Sequence, residues 1–297
     1  MNDTKLAINK KTEKEKKDKP GGERRKQKRS LTKRLLGAPY VVWALIFIIV
    51  PLLIVVYYAF TDQNGAFTVE NVAALRDYAD VFWISIEYSF IASVITLVIS
   101  YPFAYLMSRK RENTQRIMMM LVMLPMWMNL LIRTYSWMNI LEKNGIINNI
   151  LSAVGLEPVK MIGTPGAVIF GMIYNYIPYM ILPIYTVMSK IDVSVLEAAE
   201  DLGSNGLSKL RRIILPMSMP GVVSGFTMVF VPSVSTFYIS QKLGGKIMLI
   251  GDAIEKQIQS LYNYNLGAAL SLVLMVLILI SMALMKRFAG DNDSIIV

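Results

Sequence analysis

The sequence predicts an all-α integral membrane protein with six transmembrane helices and both termini on the cytoplasmic side. Three observations predict it. The chain of 297 residues is 54% hydrophobic and only 18% charged, where soluble domains run at about 45–50% and about 25%. Six apolar stretches recur along it, each near the roughly 20 residues a helix needs to cross a bilayer core. Lysine and arginine concentrate in alternate loops between those stretches, as they do on the cytoplasmic side of membrane proteins.

The first element is a tail. Residues 1–36 hold 14 Lys+Arg against 5 acids, and the remaining residues hold 17 against 16. The net charge of +10 is therefore a basic tail on a near-neutral apolar body. The tail is rich in Lys, Glu and Gly without apolar periodicity, which predicts a disordered cytoplasmic segment. It is too long for a signal-peptide n-region and no small-residue cleavage site follows the first apolar run, so that run is expected to stay as a span. Basic residues near anionic lipid contribute about 1 kcal/mol each. A nucleic-acid arm would interleave aromatics for base stacking, and this tail has none, so nucleic acid is not expected as a partner.

The membrane body is predicted at 37–288, followed by a short cytoplasmic tail at 289–297. Its spans are expected at Val41–Phe60, with one mid-span Pro51; at about Ile86–Met107; and at about Ile117–Leu141, interrupted by Pro125 and Arg133. The fourth is expected at about Ala167–Met188, with Pro178 and Pro183, and the fifth at about Ile214–Tyr238, with Pro216, Pro220 and Pro232. The sixth, Leu266–Met285, is the cleanest. The tail, the 108–116 and 189–213 loops and the C-terminus hold 24 basic residues, and the three intervening loops hold 6. That split sets the orientation.

One loop is unlike the others. Residues 190–215 read KIDVSVLEAAEDLGSNGLSKLRRIIL, too polar to span and too periodic for a plain linker. Ser194 followed by Glu197 has capping-box spacing. Val195, Ala198, Ala199 and Leu202 fall on one stripe of a short helix, and Gly203 stands where a left-handed residue ends it. Ser204 or Asn205 is placed to cap a second helix with Leu207, Leu210 and Ile214 on its stripe. Two adjacent alanines permit close approach by a partner surface, which suits docking into a groove on a soluble subunit. An interfacial helix lying on headgroups would carry bulky residues there instead.

In this loop Glu197, Ala198, Ala199, Gly203, Ile213, Leu215 and Pro216 match the EAA–G–I–LP signature, and the chain resembles the permeases of ABC importers. The stretches Leu124–Leu151, Tyr174–Met188 and Gly251–Ile258 further resemble PotB-type spermidine/putrescine permeases. The resemblance covers about residues 35–288, and the long basic tail departs from it. It implies a type I importer permease of MetI-like fold with cytoplasmic coupling helices. It also implies a PotC-like second permease, two copies of a PotA-like ATPase that hold ATP and Mg, and a PotD-like polyamine-binding protein outside. The seven signature residues would then couple to the ATPase. The chain itself has no G-x-x-x-x-G-K-[ST] phosphate loop, so no bound cofactor is expected on it.

A polyamine path calls for aromatic faces to meet ammonium groups, and for carboxylates or amide oxygens. The candidates are Trp127, Asn129, Tyr135, Trp137, Tyr174, Asn175, Tyr176, Tyr179, Phe237 and Tyr238, with Glu87, Asp252 and Glu255 as acids. Each aromatic also has a plainer role as interfacial belt. Arg133, an ionisable residue in a span, would repel a polyamine; it is placed to pair with Glu87, to hold a gate, or to snorkel. The absence of Cys and His excludes disulfides, thiol catalysis and Ser-His-Asp hydrolysis. No metal site is predicted, and the spans show no converging polar set that would make an enzyme. Two competing readings remain open on the sequence. One is an ABC permease for ferric ion or an anion. The other is a membrane scaffold whose basic tail binds nucleic acid.

Overall fold

A computed structural model describes residues 39–289. The predicted tail 1–36, and all but Ala289 of the predicted C-terminal tail, lie outside the described residues. The described chain divides into residues 39–52, the opening turns of the first helix, and a body from residue 53 onward.

Among the described residues five helices are long and apolar enough to cross a membrane, and a bent pair brings the number to six when it is counted as one span. The first, α1, is Pro39–Ala59. It widens into a π-turn over Leu45–Ile49 just ahead of Pro51. The proline has no N–H to give and its ring crowds the carbonyl four residues back, so the helix loosens there. The same cause acts again before Pro216, where Leu210–Ile214 is a π-turn.

Next comes α2, Ala79–Ser108, which starts several residues before the expected Ile86. Then the structure departs from the expectation. The third span is not one helix. It is α3, Glu112–Trp127, then α4, Leu130–Leu141, and α5, Ile146–Ala153, with a bend of 88° after Trp127. Pro125 removes a donor near the end of α3, and Met128 and Asn129 adopt extended backbone. The Asn129 side chain then accepts from the Leu131 N–H at 2.8 Å and restarts the chain as a new helix.

The fourth span, α6, is Pro165–Met188, capped by Thr164 with Pro165 in its first turn. After it come α7, Val193–Asp201, and α8, which runs from Gly206 through the π-turn to Val234 as the fifth span. The expected fifth span ended at Tyr238. Instead the helix stops at Val234, and Tyr238 opens a separate short helix, α9, Tyr238–Leu243. A second short helix, α10, is Ile250–Glu255, and α11, Tyr264–Ala289, is the sixth span.

The centre of the body is α2, α6 and α8 packed on one another. Lipid tails are as apolar as leucine, so burial from water does not hold membrane helices together; close packing and interhelical bonds do. The small residues are placed accordingly. Ser85, Ser89, Ala92, Ser93, Thr96, Ser100 and Ala104 form a buried stripe along α2. On α8, a Cβ at Gly225 would stand 3.0 Å from the Met180 carbonyl oxygen, and one at Gly221 would stand 2.8 Å from that of Pro183. Those two glycines let α8 and α6 meet backbone to backbone. Met107, Met180, Ile184, Met188, Leu196 and Ile214 fill the end of this core that faces α7.

Candidate functional site

The loop between α6 and α8 is a two-faced helical hairpin. Its first helix, α7, is capped by Asp192, whose carboxylate accepts from the Ser194 N–H at 3.0 Å. The Ser194 backbone and hydroxyl hold that carboxyl below its usual pKa. The cap expected at Ser194 is thus two residues earlier, and Ser194 lies inside the helix. An aspartate at the β-region position ahead of the first turn competes for the same orphan N–H groups.

The end of α7 follows the sequence expectation. Gly203 has φ +80°, its N–H donates to the Glu200 carbonyl at 2.8 Å, and the Ser204 N–H donates to the Ala199 carbonyl at 2.9 Å. This pair of bonds is the Schellman closure. Asn205 caps the start of α8, its side chain accepting from the Ser208 N–H at 2.8 Å. A Lys209–Glu200 ion pair ties the two helices of the hairpin together.

The expected stripe divides between the two faces of α7. Ala199 turns inward with Leu196, and both are buried. Val195, Ala198 and Leu202 turn outward with Glu197. Among the seven signature residues, Glu197, Ala198, Gly203, Leu215 and Pro216 are exposed, Ile213 is half-buried, and Ala199 is buried. Ala199 therefore serves the hairpin's seating on the body. Leu202 is 88% exposed and Leu207 75%, on a segment too polar to be immersed in lipid. The base of the hairpin is held by neighbours. The Arg109 guanidinium donates to the Ile191 carbonyl at 3.3 Å and lies over the Tyr105 ring. Tyr185 donates to Gln115 Oε1 at 2.8 Å.

At the opposite end of α8, the path candidates sort into separate groups. Tyr135 on α4 meets Tyr238 on α9 edge to face, with ring centres 6.1 Å apart. Trp137 packs edge-on against Phe170 at 4.6 Å and Tyr174 at 5.1 Å, inside a core cluster with Val168, Met172 and Ile239. Tyr176 lies between two core clusters, with its hydroxyl toward the Pro232 carbonyl at 3.4 Å. Tyr179 is partly exposed and lines a groove of ≈ 530 Å³ with Pro183, Val187, Pro220 and Gly221. Phe237 is exposed at the turn between α8 and α9.

Others fall outside any shared site. Trp127 is 76% exposed at the end of α3, and Asn129 is occupied as the cap of α4. Asn175 is buried and donates to the Gly171 carbonyl of its own helix at 2.8 Å, and the described residues offer its Oδ1 no partner. Glu87 is exposed, and the ion pairs among the described residues do not join it to Arg133. Arg133 is buried, and the described residues offer Nε and Nη1 no hydrogen-bond partner.

Asp252 and Glu255 are brought together. Both line a polar cavity of ≈ 350 Å³ with Gln241, Lys246 and Lys256. Asp252 is buried on α10, with Oδ2 accepting from the Leu249 N–H at 2.8 Å and Oδ1 given no partner by the described residues. Burial pushes its pKa up to about 6, against the lowering effect of the Leu249 N–H and the nearby Ser240 hydroxyl. Glu255 accepts from the Gln241 side chain at 3.1 Å. Sequence reasoning missed four features: the Asp192 cap, the inward Leu196, the Lys209–Glu200 tie and the small-residue stripe of α2. The stripe had a legible signal, small residues every three or four positions. The others depend on which turn wins a cap or which face turns inward.

Comparison with known proteins places this geometry. Residues 100–291 match the family described as binding-protein-dependent transport system inner membrane component. The chain is 37% identical over 246 residues to the spermidine/putrescine transport system permease protein PotB of Haemophilus influenzae, covering 79% of this chain and 86% of that protein. It is 34% identical over 247 residues to PotB of Escherichia coli K12, covering 80% and 90%. Its fold is similar to a chain of a bacterial ABC transporter involved in alginate import, with TM-score 0.72 at 18% identity over 88% of this chain and 96% of that one.

Proposed function

The chain belongs to the family of binding-protein-dependent transport system inner membrane components, and from that premise we propose that it is the permease subunit of an ATP-driven polyamine importer. The observation that carries the substrate is the 34–37% identity to spermidine/putrescine permeases, sustained over about four-fifths of the chain. It spans the membrane body rather than one motif, so it includes the segments that would line a path.

In this reading the α6–α8 hairpin is the coupling element. Its outward face would seat in a groove of a separate ATPase, with Leu202 and Leu207 as apolar anchors and Glu197, Ala198 and Gly203 beside them. The chain has no phosphate loop of its own, so ATP and Mg would be held by that partner. Leu196, Ala199 and Ile214 attach the hairpin to the core, so motion of the ATPase would be passed to α8. Because α8 meets α6 backbone to backbone at Gly221 and Gly225, a push at its start would move the pair as one body. Rocking of that kind opens alternate sides of a path.

A second, PotC-like permease would supply the other half of the path, and a PotD-like protein would deliver the polyamine at the α9–α10 end. The basic tail and the loop charges support a cytoplasmic hairpin and cytoplasmic termini. The chain has no cysteine, so a single cysteine at Leu207 tests orientation by labelling from either side in sealed vesicles. The function is tested by radiolabelled putrescine and spermidine uptake into proteoliposomes holding the whole complex, with an ATP-free control. Saturable, ATP-dependent uptake is expected. Uptake of ferric ion or an anion in its place would overturn the substrate assignment.

A further inference from the structure

The contact between α4 and α9 holds a charge that no salt bridge among the described residues neutralises. Lys242, on α9, places its Nζ 5.1 Å from the centre of the Tyr135 ring and 5.7 Å from that of Tyr238. The two rings cross at 76°, so the ammonium is met from two directions by π faces. Both distances are within the roughly 6 Å over which a ring attracts a cation. The ion pairs among the described residues are Arg116–Glu112 and Lys209–Glu200, and Lys242 takes part in neither.

The chemistry of the occupant is informative. A lysine side chain is a flexible stem of four methylenes ending in a primary ammonium. That is an aminobutyl group, the same unit that carries each ammonium of putrescine and one end of spermidine. We propose that Tyr135 and Tyr238 form a subsite for one end of an alkylammonium substrate, and that Lys242 is its tethered occupant, which substrate displaces. This rests on the polyamine reading above.

The placement suits such a site. Tyr135 is 42% exposed, and Tyr238 and Lys242 are half-buried, so a dissolved amine can reach the rings. Both elements begin at breaks in the helical body. The α4 helix starts at the 88° bend, and α9 starts where α8 has ended. The subsite therefore stands at the far end of the helix whose near end carries the docking hairpin.

A tethered ammonium lowers the free fraction of the subsite for every amine that uses it, so putrescine and a monoamine are weakened by the same factor.

The test uses the complete reconstituted complex and measures the apparent KM for putrescine and inhibition by butylamine. If Lys242 fills the subsite most of the time, removing its charge raises the competent fraction. Lys242→Met should then lower the apparent KM by about threefold to tenfold and strengthen butylamine inhibition by a similar factor. Lys242→Gln serves as a second neutral variant should the first fail to assemble. Tyr135→Leu should raise KM and erase the gain when combined with Lys242→Met, while Tyr135→Phe, which keeps the ring face, should raise KM less than Tyr135→Leu does. An unchanged or raised KM in assembled Lys242→Met and Lys242→Gln complexes would overturn the inference. So would a Tyr135→Phe defect as large as that of Tyr135→Leu. A wild-type complex that takes up no polyamine would overturn both this inference and the reading beneath it, whereas normal wild-type uptake with indifferent variants would remove this inference alone.

Discussion

Replacing Gly203 by aspartate separates docking from folding. A Cβ built at Gly203 meets no atom within 4 Å, so no part of this chain resists the side chain. What remains is the backbone: φ is +80°, and an L-residue there costs about 1–2 kcal/mol. That is a local cost in a hairpin held by the Schellman bonds and the Lys209–Glu200 pair, and it is small beside a domain stability of about 5–15 kcal/mol. Insertion and assembly of the membrane body should be normal. At a docking face the account changes. An unpaired carboxylate desolvated against a partner costs about 1–3 kcal/mol or more, and it would add to the exposed Glu197, Glu200 and Asp201 already on α7. ATP-dependent uptake and co-purification of the ATPase should therefore fall about tenfold or more. Gly203→Asn is the control, since asparagine tolerates the left-handed region and carries no charge. It should keep uptake within about threefold of wild type. Normal uptake by Gly203→Asp would show that the hairpin is not the docking surface. Equal loss in Gly203→Asn would place the defect in the backbone instead of the charge.

Three further outcomes are expected. Gly225→Leu forces a side chain into the Met180 backbone and should cost about 1–3 kcal/mol of packing, seen as a lower thermal midpoint in detergent and loss of the monodisperse complex, whereas an unshifted midpoint would deny the close α6–α8 contact. Asn129→Ala removes the α4 cap and should cost about 1 kcal/mol while leaving the KM for putrescine unchanged; a raised KM would restore Asn129 to the path. Asp252 has its pKa raised to about 6 by burial, above the usual carboxylate value near 4. The folded state then binds the proton more readily than the unfolded one, so Asp252 makes stability rise as pH falls from about 6 toward 4. Thermal melts of wild type and Asp252→Asn across that window should differ in slope, and matching slopes would refute the buried ionised carboxyl.

The loop signature and the spans were legible because each depends on neighbours in sequence. Gly203 ends α7 since only the local backbone decides a left-handed residue, and Asn205 caps α8 for the same reason. The third span misled because a run of apolar residues does not say whether its axis is straight. The break depends on Pro125 and on Asn129 capturing the Leu131 N–H. The path aromatics were legible as a set and not as an arrangement. Trp137 packs against the core while Trp127 lies at the surface, although both are tryptophans in similar contexts.

The sequence by itself determined the membrane class, the number of apolar runs and the hairpin between the fourth and fifth, because hydropathy, charge and capping act over one helix length. Only the tertiary structure decided which small residues bring α2, α6 and α8 together. It also decided that Ala199 faces inward, that Glu87 and Arg133 stay apart, and that Lys242 meets Tyr135 and Tyr238. Those contacts join elements distant in sequence, more than a hundred residues apart for Tyr135 and Lys242. Helix rotation and axis angle fix them, and neither is written in the periodicity of a single helix.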